Sequence, residues 1–194
     1  MSSELLMTRP EVSANQLEQS AGQLVGTLTI QVIADSNGFD ALQTDWNLLM
    51  EECGLSIFQS YEWQRTWWKH FGEYNRSASL HIVVVKSDDS IIGIAPFFIE
   101  KSSTLGFLGC ARLVFVGRGP SDYLDALFAE GKEAECADLV VAHLAASPRL
   151  FDVVHLDDLT DRLSNHSLLF EALRRRGFRG KHFISEYCPR TTLL

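Results

Sequence analysis

The chain has 194 residues, of which 46% are hydrophobic, and a formal net charge of −8. This length and composition predict one domain with a substantial hydrophobic core. The acidic balance argues against a nucleic-acid-binding surface, because affinity for phosphate depends largely on clustered Lys and Arg. Lys, Asp or Gly interrupts every apolar run before it reaches the roughly 20 residues that span a bilayer, so we expect a cytoplasmic protein without a membrane span.

Residues 1–26 are predicted to be a disordered tail. Ser, Gln, Glu and Ala dominate this segment, and it contains too little apolar material to anchor a helix. It also lacks the basic start and the unbroken apolar stretch of a secretory signal. A single folded domain is therefore expected over residues 27–194.

The next segments alternate between strand and helix patterns. Alternating residues predict a strand over 28–33, and apolar side chains at spacings of three and four predict a helix from residue 39 to Gly54. A second helix is predicted from Ser60 to Gly72, with aromatic side chains along one face at Trp63, Trp67 and Phe71. We interpret this aromatic stripe as core, because burying large apolar rings is favourable.

A hairpin is predicted from residues 80–85 and 91–99, with a bulge or a missing ladder bond at Pro96. Both arms are almost continuously apolar, which is typical of a central strand covered on both faces. The remaining predicted elements are strands at 106–108, 113–116, 123–128, 151–156 and 182–187 and helices at 132–146 and 165–176. The expected fold is α/β (α+β), with a mixed, largely antiparallel central sheet and helices on both faces.

Cysteine and histidine spacing gives no evidence for a metal site. The chain has no CxxC, HxxxH or HxH pattern, and no Gly-x-Ser-x-Gly element of a hydrolase is present. We therefore expect no metal, and a domain of this size needs no disulfide framework. The four cysteines are expected to be reduced thiols, at Cys53, Cys110, Cys136 and Cys188.

The polar segment that follows the apolar run at residues 113–116 contains the best candidates for chemistry. A carboxylate beside a buried strand, such as Asp122, can act as a general base, and Tyr123 can donate a proton. The alternative is structural, with Asp122 stabilising the turn at residues 117–120. The Gly117-x-Gly119 pair does not form a phosphate loop, because Pro120-Ser121-Asp122 follows in place of a Lys or a helix-opening glycine.

Basic residues cluster near the predicted last helix, at Arg174, Arg175, Arg176, Arg179 and Lys181. They could attract a phosphate or an acidic partner. The alternative is that they oppose the helix dipole at its C-terminal end.

Three stretches together resemble the N-terminal half of GNAT-like acyltransferases, in particular the FemAB-related CelD/BioF2-like proteins. They are Phe58-Gln59-Ser60-x-Glu62-Trp63, Ile92-Gly93-Ile94-Ala95-Pro96 and Gly117-x-Gly119-x-Ser121-Asp122-Tyr123-x-Asp125. The resemblance implies acyl transfer from acyl-CoA, such as acetyl-CoA, to an amine or hydroxyl on a small-molecule or sugar-linked acceptor. A role in polysaccharide or cell-envelope biosynthesis follows from the same likeness.

The resemblance also implies roles for particular residues. Asp122 is expected to act as base or acceptor-orienting group, and Tyr123 as proton donor. Substrate-binding roles fall to Asp125, Ser121, Glu62 and Trp63.

Proteins of this kind are about twice as long, and their second GNAT-like half supplies the acyl-CoA site. The chain is therefore expected to be an incomplete or truncated transferase that acts with a second half or as a homodimer. The alternative is a noncatalytic binding or assembly module with the same fold. A phosphate-accepting notch between splayed neighbouring strands would contradict the expected incompleteness.

Overall fold

The computed structural model describes residues 2–10, 28–53, 56–104, 108–160 and 165–186. Within these ranges five α-helices span α1 (Ser36–Ala41), α2 (Gln43–Cys53), α3 (Tyr61–Trp67), α4 (Glu133–Ala146) and α5 (Asn165–Arg175). Eight strands span β1 (Ser2–Thr8), β2 (Leu28–Ile33), β3 (Ala78–Ser87), β4 (Ser90–Thr104), β5 (Leu108–Phe115), β6 (Leu127–Phe128), β7 (Val153–Thr160) and β8 (Arg179–Glu186). A 3₁₀ turn at Ile57–Gln59 precedes α3, and a π-helical turn at Trp68–Gly72 follows it.

The strands form one sheet in the order β2-β3-β4-β5-β7-β1-β8, and β6 pairs with β4 beyond the end of β5. The pairings along this order are antiparallel, except that β5 and β7 are parallel. Right-handed crossovers through α4 and α5 are the expected connections for strands that run in the same direction.

Alternate side chains of the sheet enter two separate cores. Val83, Phe97 and Phe115 pack with α4 and α5 on one face, and Ile82, Phe98 and Val114 pack with α1, α2 and α3 on the other. The predicted mixed, largely antiparallel sheet with helices on both faces is confirmed. Within the described ranges, none of the helices has the length and apolar content that crossing a bilayer requires.

The predicted hairpin is confirmed, and its register passes through Pro96 opposite Ile82 without a shift. The irregularity lies instead between Val85 and Lys86, next to the turn. The missing ladder bond was therefore the correct alternative at Pro96, since proline has no N–H to donate.

Two helix predictions need correction. The first predicted helix is divided at Leu42 into α1 and α2. In the second, the π-helical turn rotates the last aromatic position outward, so Phe71 is 58% exposed while Trp67 and Trp68 are buried. Gly72 ends this turn against Trp68, whose ring lies where a Cβ at residue 72 would stand.

The prediction of a disordered tail over residues 1–26 is wrong for Ser2–Thr8, while residues 11–26 lie outside the described ranges. β1 lies in the interior of the sheet and pairs antiparallel with both β7 and β8. Leu5 and Met7 are fully buried in the core beneath α5. The folded unit therefore begins before residue 27.

Two histidines meet where α4 packs on β3. The Nε2 atoms of His81 and His143 lie 3.3 Å apart, and their rings stack. Burial lowers the pKa of His81 to about 4, and the charge of His143 acts in the same direction. Burial also lowers the pKa of His143.

Replacing Leu5 by Ala tests the position of β1. We expect the free energy of unfolding to fall by about 2–5 kcal/mol, the usual cost of truncating a fully buried leucine. Leu6, which is 43% exposed, is the matched control, and L6A should change this free energy by no more than about 0.5 kcal/mol. Equal effects in urea denaturation would contradict the placement of β1 in the core.

The histidine pair predicts a dependence of stability on pH. Because the pKa of His81 is about 4 in the folded state and near 6.5 when unfolded, the unfolded chain binds more protons between these values. Stability should therefore fall as the pH is lowered through this window. In H81Q the fall should be smaller, whereas a variant of the exposed His70, H70Q, should retain it; urea denaturation at several pH values measures the difference.

Candidate functional site

The candidate site lies where β5 and β7 separate. These parallel strands pair only at Arg112 with Val153 and at Leu113 with Val154. Further along, the loop of residues 117–126 enters between them, and Leu124 forms a parallel bridge to Leu159 of β7. The predicted strand over 123–128 is thus correct only for Leu127–Phe128.

The loop is fixed on one side by α3 and the turn before it. The indole N–H of Trp63 donates to Ser121 Oγ at 2.7 Å, and that of Trp67 donates to the carbonyl of Arg118 at 3.1 Å. The side-chain amide of Gln59 donates to the carbonyl of Tyr123. The bonds from Gln59 and Trp63 link the Phe58–Trp63 stretch to the loop, and the bond from Trp67 adds the end of α3.

An ion-pair network fixes the loop on the other side. The Arg118 guanidinium lies 2.6 Å from Asp157 Oδ2 on β7 and 3.0 Å from Glu100 Oε2 on β4, and Arg112 also contacts Glu100 at 2.6 Å. These side chains are 13–32% exposed. Arg118 therefore links β7 to β4, the strand on the other side of β5.

A carboxylate that the sequence analysis did not single out lies beside the loop. Asp158 has a left-handed backbone with φ of 58°, and its Oδ2 accepts the Gly119 N–H at 2.9 Å. Burial raises the pKa of Asp158, and the charges of Asp157 and Asp122 raise it further. The hydrogen bond from Gly119 acts in the opposite direction and lowers this pKa. Tyr123, with φ of 60°, is the neighbouring strained residue, and the Leu124 N–H beside it donates to the Asp158 carbonyl.

The two predicted catalytic residues and Ser121 lie in this loop in different environments. Asp122 is exposed, and its charge acts on Asp158. Tyr123 is half-buried at the strained position. Ser121 is 3% exposed and donates to the carbonyl of Gly117 while accepting from Trp63, so its environment supports a structural role in place of substrate binding.

Asp125 and Glu62 do not join the candidate site. Asp125 is fully buried and contacts His166 Nδ1 of α5 at 3.4 Å. Burial raises the pKa of Asp125, and the hydrogen bond from His166 opposes the shift. Glu62 is exposed and accepts from Asn47 of α2 at 3.5 Å. Asp125 is therefore too buried to contact a substrate, and Glu62 points to α2 instead of the loop.

A groove of about 370 Å³ runs beside the loop. Its lining is mostly aromatic and comes from α3, the π-helical turn and the loop, at Trp63, Thr66, Trp67, His70, Phe71 and Pro120. Flat aromatic faces offer large apolar contact area at a fixed geometry. Pro120 lines the groove and Gly119, the residue before it, contacts Asp158, so adjacent residues of the loop lie at the groove and at the carboxylate.

The surroundings of Gly119 in the loop do not favour a phosphate. A phosphate site needs backbone N–H groups that are free to bind an anion. Here the Gly119 N–H is engaged by Asp158, and Asp122 and Asp157 place further negative charge nearby. The loop itself fills the gap between β5 and β7, since Leu124 pairs with Leu159 there.

One cluster in the described residues offers metal-ligand atoms. One donor atom each of Glu4, His155 and Asp157 lies within 4.8 Å of the other two.

The predicted basic group near α5 is paired in part, since Arg175 contacts Asp138 of α4 at 2.6 Å and Arg174 contacts Glu171 at 3.8 Å.

The chain matches no protein-family model and no curated protein.

The two loop glycines give a test of how the loop is held. Both have positive φ, 98° at Gly117 and 93° at Gly119, but a Cβ at Gly117 would stand 2.8 Å from Gln64 Nε2, whereas one at Gly119 meets nothing within 4 Å. Backbone strain should lower the free energy of unfolding by about 1–3 kcal/mol in either alanine variant.

G117A should show an additional loss, because Gln64 is fully buried and donates to the Phe58 carbonyl. Urea denaturation of the two variants measures it, and a larger effect for G119A would contradict this packing.

Proposed function

We propose that this chain is the acceptor-side half of an acyltransferase of the GNAT-like, CelD/BioF2-like kind. The observation that carries the proposal is that one loop joins an aromatic groove to a half-buried carboxylate where two parallel strands separate. The groove suits the flat face of a sugar or another small acceptor, and the carboxylate suits removal of its proton. The three sequence stretches that resemble this family support the same assignment.

In the proposed reaction the acceptor amine or hydroxyl attacks the carbonyl carbon of a thioester. Asp158 takes the proton of the nucleophile, and the exposed Asp122 orients the acceptor. The tetrahedral intermediate then breaks its C–S bond, and the departing thiolate receives a proton from Tyr123 or from water. Asp158 then releases its proton to solvent, and solvent restores the proton of Tyr123. Asp158 thus replaces Asp122 as the proposed base, because it is half-buried and held beside the loop.

The donor side is assigned to a second GNAT-like half or a second copy of this chain. The engaged Gly119 N–H and the nearby carboxylates disfavour binding of the CoA pyrophosphate at this loop. Acyl-CoA is therefore proposed as a cosubstrate that another half presents.

A noncatalytic binding module is the second candidate. It is favoured by the internal hydrogen bonds of the loop, in which Trp63 and Trp67 engage Ser121 and Arg118. In that case the groove binds a ligand and Asp158 only shapes the loop.

A minimal thioester tests the proposed chemistry in the isolated chain. S-acetyl-N-acetylcysteamine carries the reactive group of acetyl-CoA without the nucleotide, so it does not require a pyrophosphate site. With glucosamine as acceptor, the chain should accelerate thiol release, measured by a thiol-reactive dye in the presence of EDTA. D158N should lower the rate by about a hundredfold or more, the usual contribution of a general base.

The matched control is D138N, which removes a carboxylate paired with Arg175 on the opposite side of the sheet and should leave the rate unchanged. No acceleration would favour the binding module, whereas acceleration that is unchanged in D158N would exclude Asp158 as the base. If acetyl-CoA is a much better donor than the minimal thioester, the chain holds its own cofactor site and the assignment of a second half is wrong.

A further inference from the structure

The candidate metal-ligand cluster lies on two adjacent strands. Glu4 belongs to β1, and His155 and Asp157 belong to β7. The Oε1 atom of Glu4 lies 3.7 Å from Nε2 of His155, and donor atoms of all three residues lie within 4.8 Å of one another. Their side chains are 30%, 17% and 13% exposed, respectively.

Strand alternation and a bulge explain this convergence. Leu5 and Leu156 pair across β1 and β7 and enter the core beneath α5, so Glu4, His155 and Asp157 lie on the opposite face. Between the pairs Ser3–Leu159 and Leu5–Leu156, one residue of β1 faces two of β7, which makes Asp157 and Asp158 a bulge opposite Glu4. Such bulges redirect side chains, and the surrounding sheet holds them in place.

We propose that Glu4, His155 and Asp157 bind one divalent transition-metal ion, with zinc as the best match to the donors. Zinc takes imidazole nitrogen and carboxylate oxygen at about 2.0–2.2 Å, which places tetrahedral ligand atoms about 3.4 Å apart. The Glu4–His155 separation is close to this value, and small side-chain rotations bring Asp157 into range. Three protein ligands leave a position open for water or another ligand.

Arg118 supports the site and balances its charge. It holds the Asp157 carboxylate at 2.6 Å, as outer-sphere partners of ligating carboxylates commonly do, and Asp157 retains lone pairs for a metal. Glu4, Asp157 and Arg118 together carry a net charge of −1, by two carboxylates and one guanidinium, which favours a cation. The competing pair His81 and His143 offers only two nitrogen donors, 3.3 Å apart.

The test is calorimetric titration of zinc sulfate into the full chain after removal of metals with EDTA. We expect one saturable site with micromolar affinity and a higher melting temperature with zinc. H155Q and E4Q should each weaken binding by about tenfold or more, since each removes a ligand. H143Q is the matched control and should bind as the unaltered chain does.

Absence of saturable binding, or equal affinity in H155Q, would overturn the proposal. Loss of binding in H143Q but not in H155Q would assign zinc to the His81–His143 pair and equally overturn it. Thermal unfolding in EDTA establishes that each variant is folded; if H155Q does not fold, E4Q decides. No thioester or acceptor is present, so the outcome is independent of acyl transfer.

Discussion

The arrangement of the site depends on the short stretch over which β5 and β7 pair. Two parallel residue pairs hold the strands together, and beyond them the sheet opens. An open gap in a sheet would leave backbone N–H and C=O groups unpaired at considerable cost. The loop of residues 117–126 satisfies part of this requirement, through Leu124 N–H to Asp158 O and through the bridge to Leu159.

Filling the gap determines which chemistry the loop can perform. A loop that donates its N–H groups outward binds anions, whereas this loop directs Gly119 N–H to a carboxylate of its own chain. Arg118 is likewise engaged by Asp157 and Glu100. These two donors are thus used internally, while Asp122 remains exposed and the groove beside Pro120 remains open. This asymmetry favours an uncharged or cationic ligand over a phosphate-bearing one.

Sequence patterns predicted the elements whose signals are local. The hairpin of β3 and β4 followed from its continuous apolar arms, and α4 and α5 followed from helical spacing, with Gly177 as the stop after α5. The structure agrees with this stop, since Gly177 has a positive φ. Phe71 was misplaced because a π-helical turn changes the spacing that the helical pattern assumes. Asp158 was missed because two adjacent aspartates in a sequence do not indicate a bulge or a left-handed backbone. The bulge forms where β1 pairs with β7, far apart in the chain.

The largest error in the predicted fold, the disordered tail, and the missed metal-ligand cluster both arise from β1. The strand has only three consecutive apolar residues, Leu5 to Met7, among polar neighbours, and its partners β7 and β8 lie about 150 and about 175 residues further along the chain. The strand is stabilised by pairing on both of its edges and by burial of Leu5 and Met7, and not by contacts within its own sequence. Because β7 and β8 each run antiparallel to β1, this strand is also what joins β8 to the sheet. Interior strands hold their side chains in a fixed register, so Glu4 meets His155 as a consequence of the same pairing that completes the core.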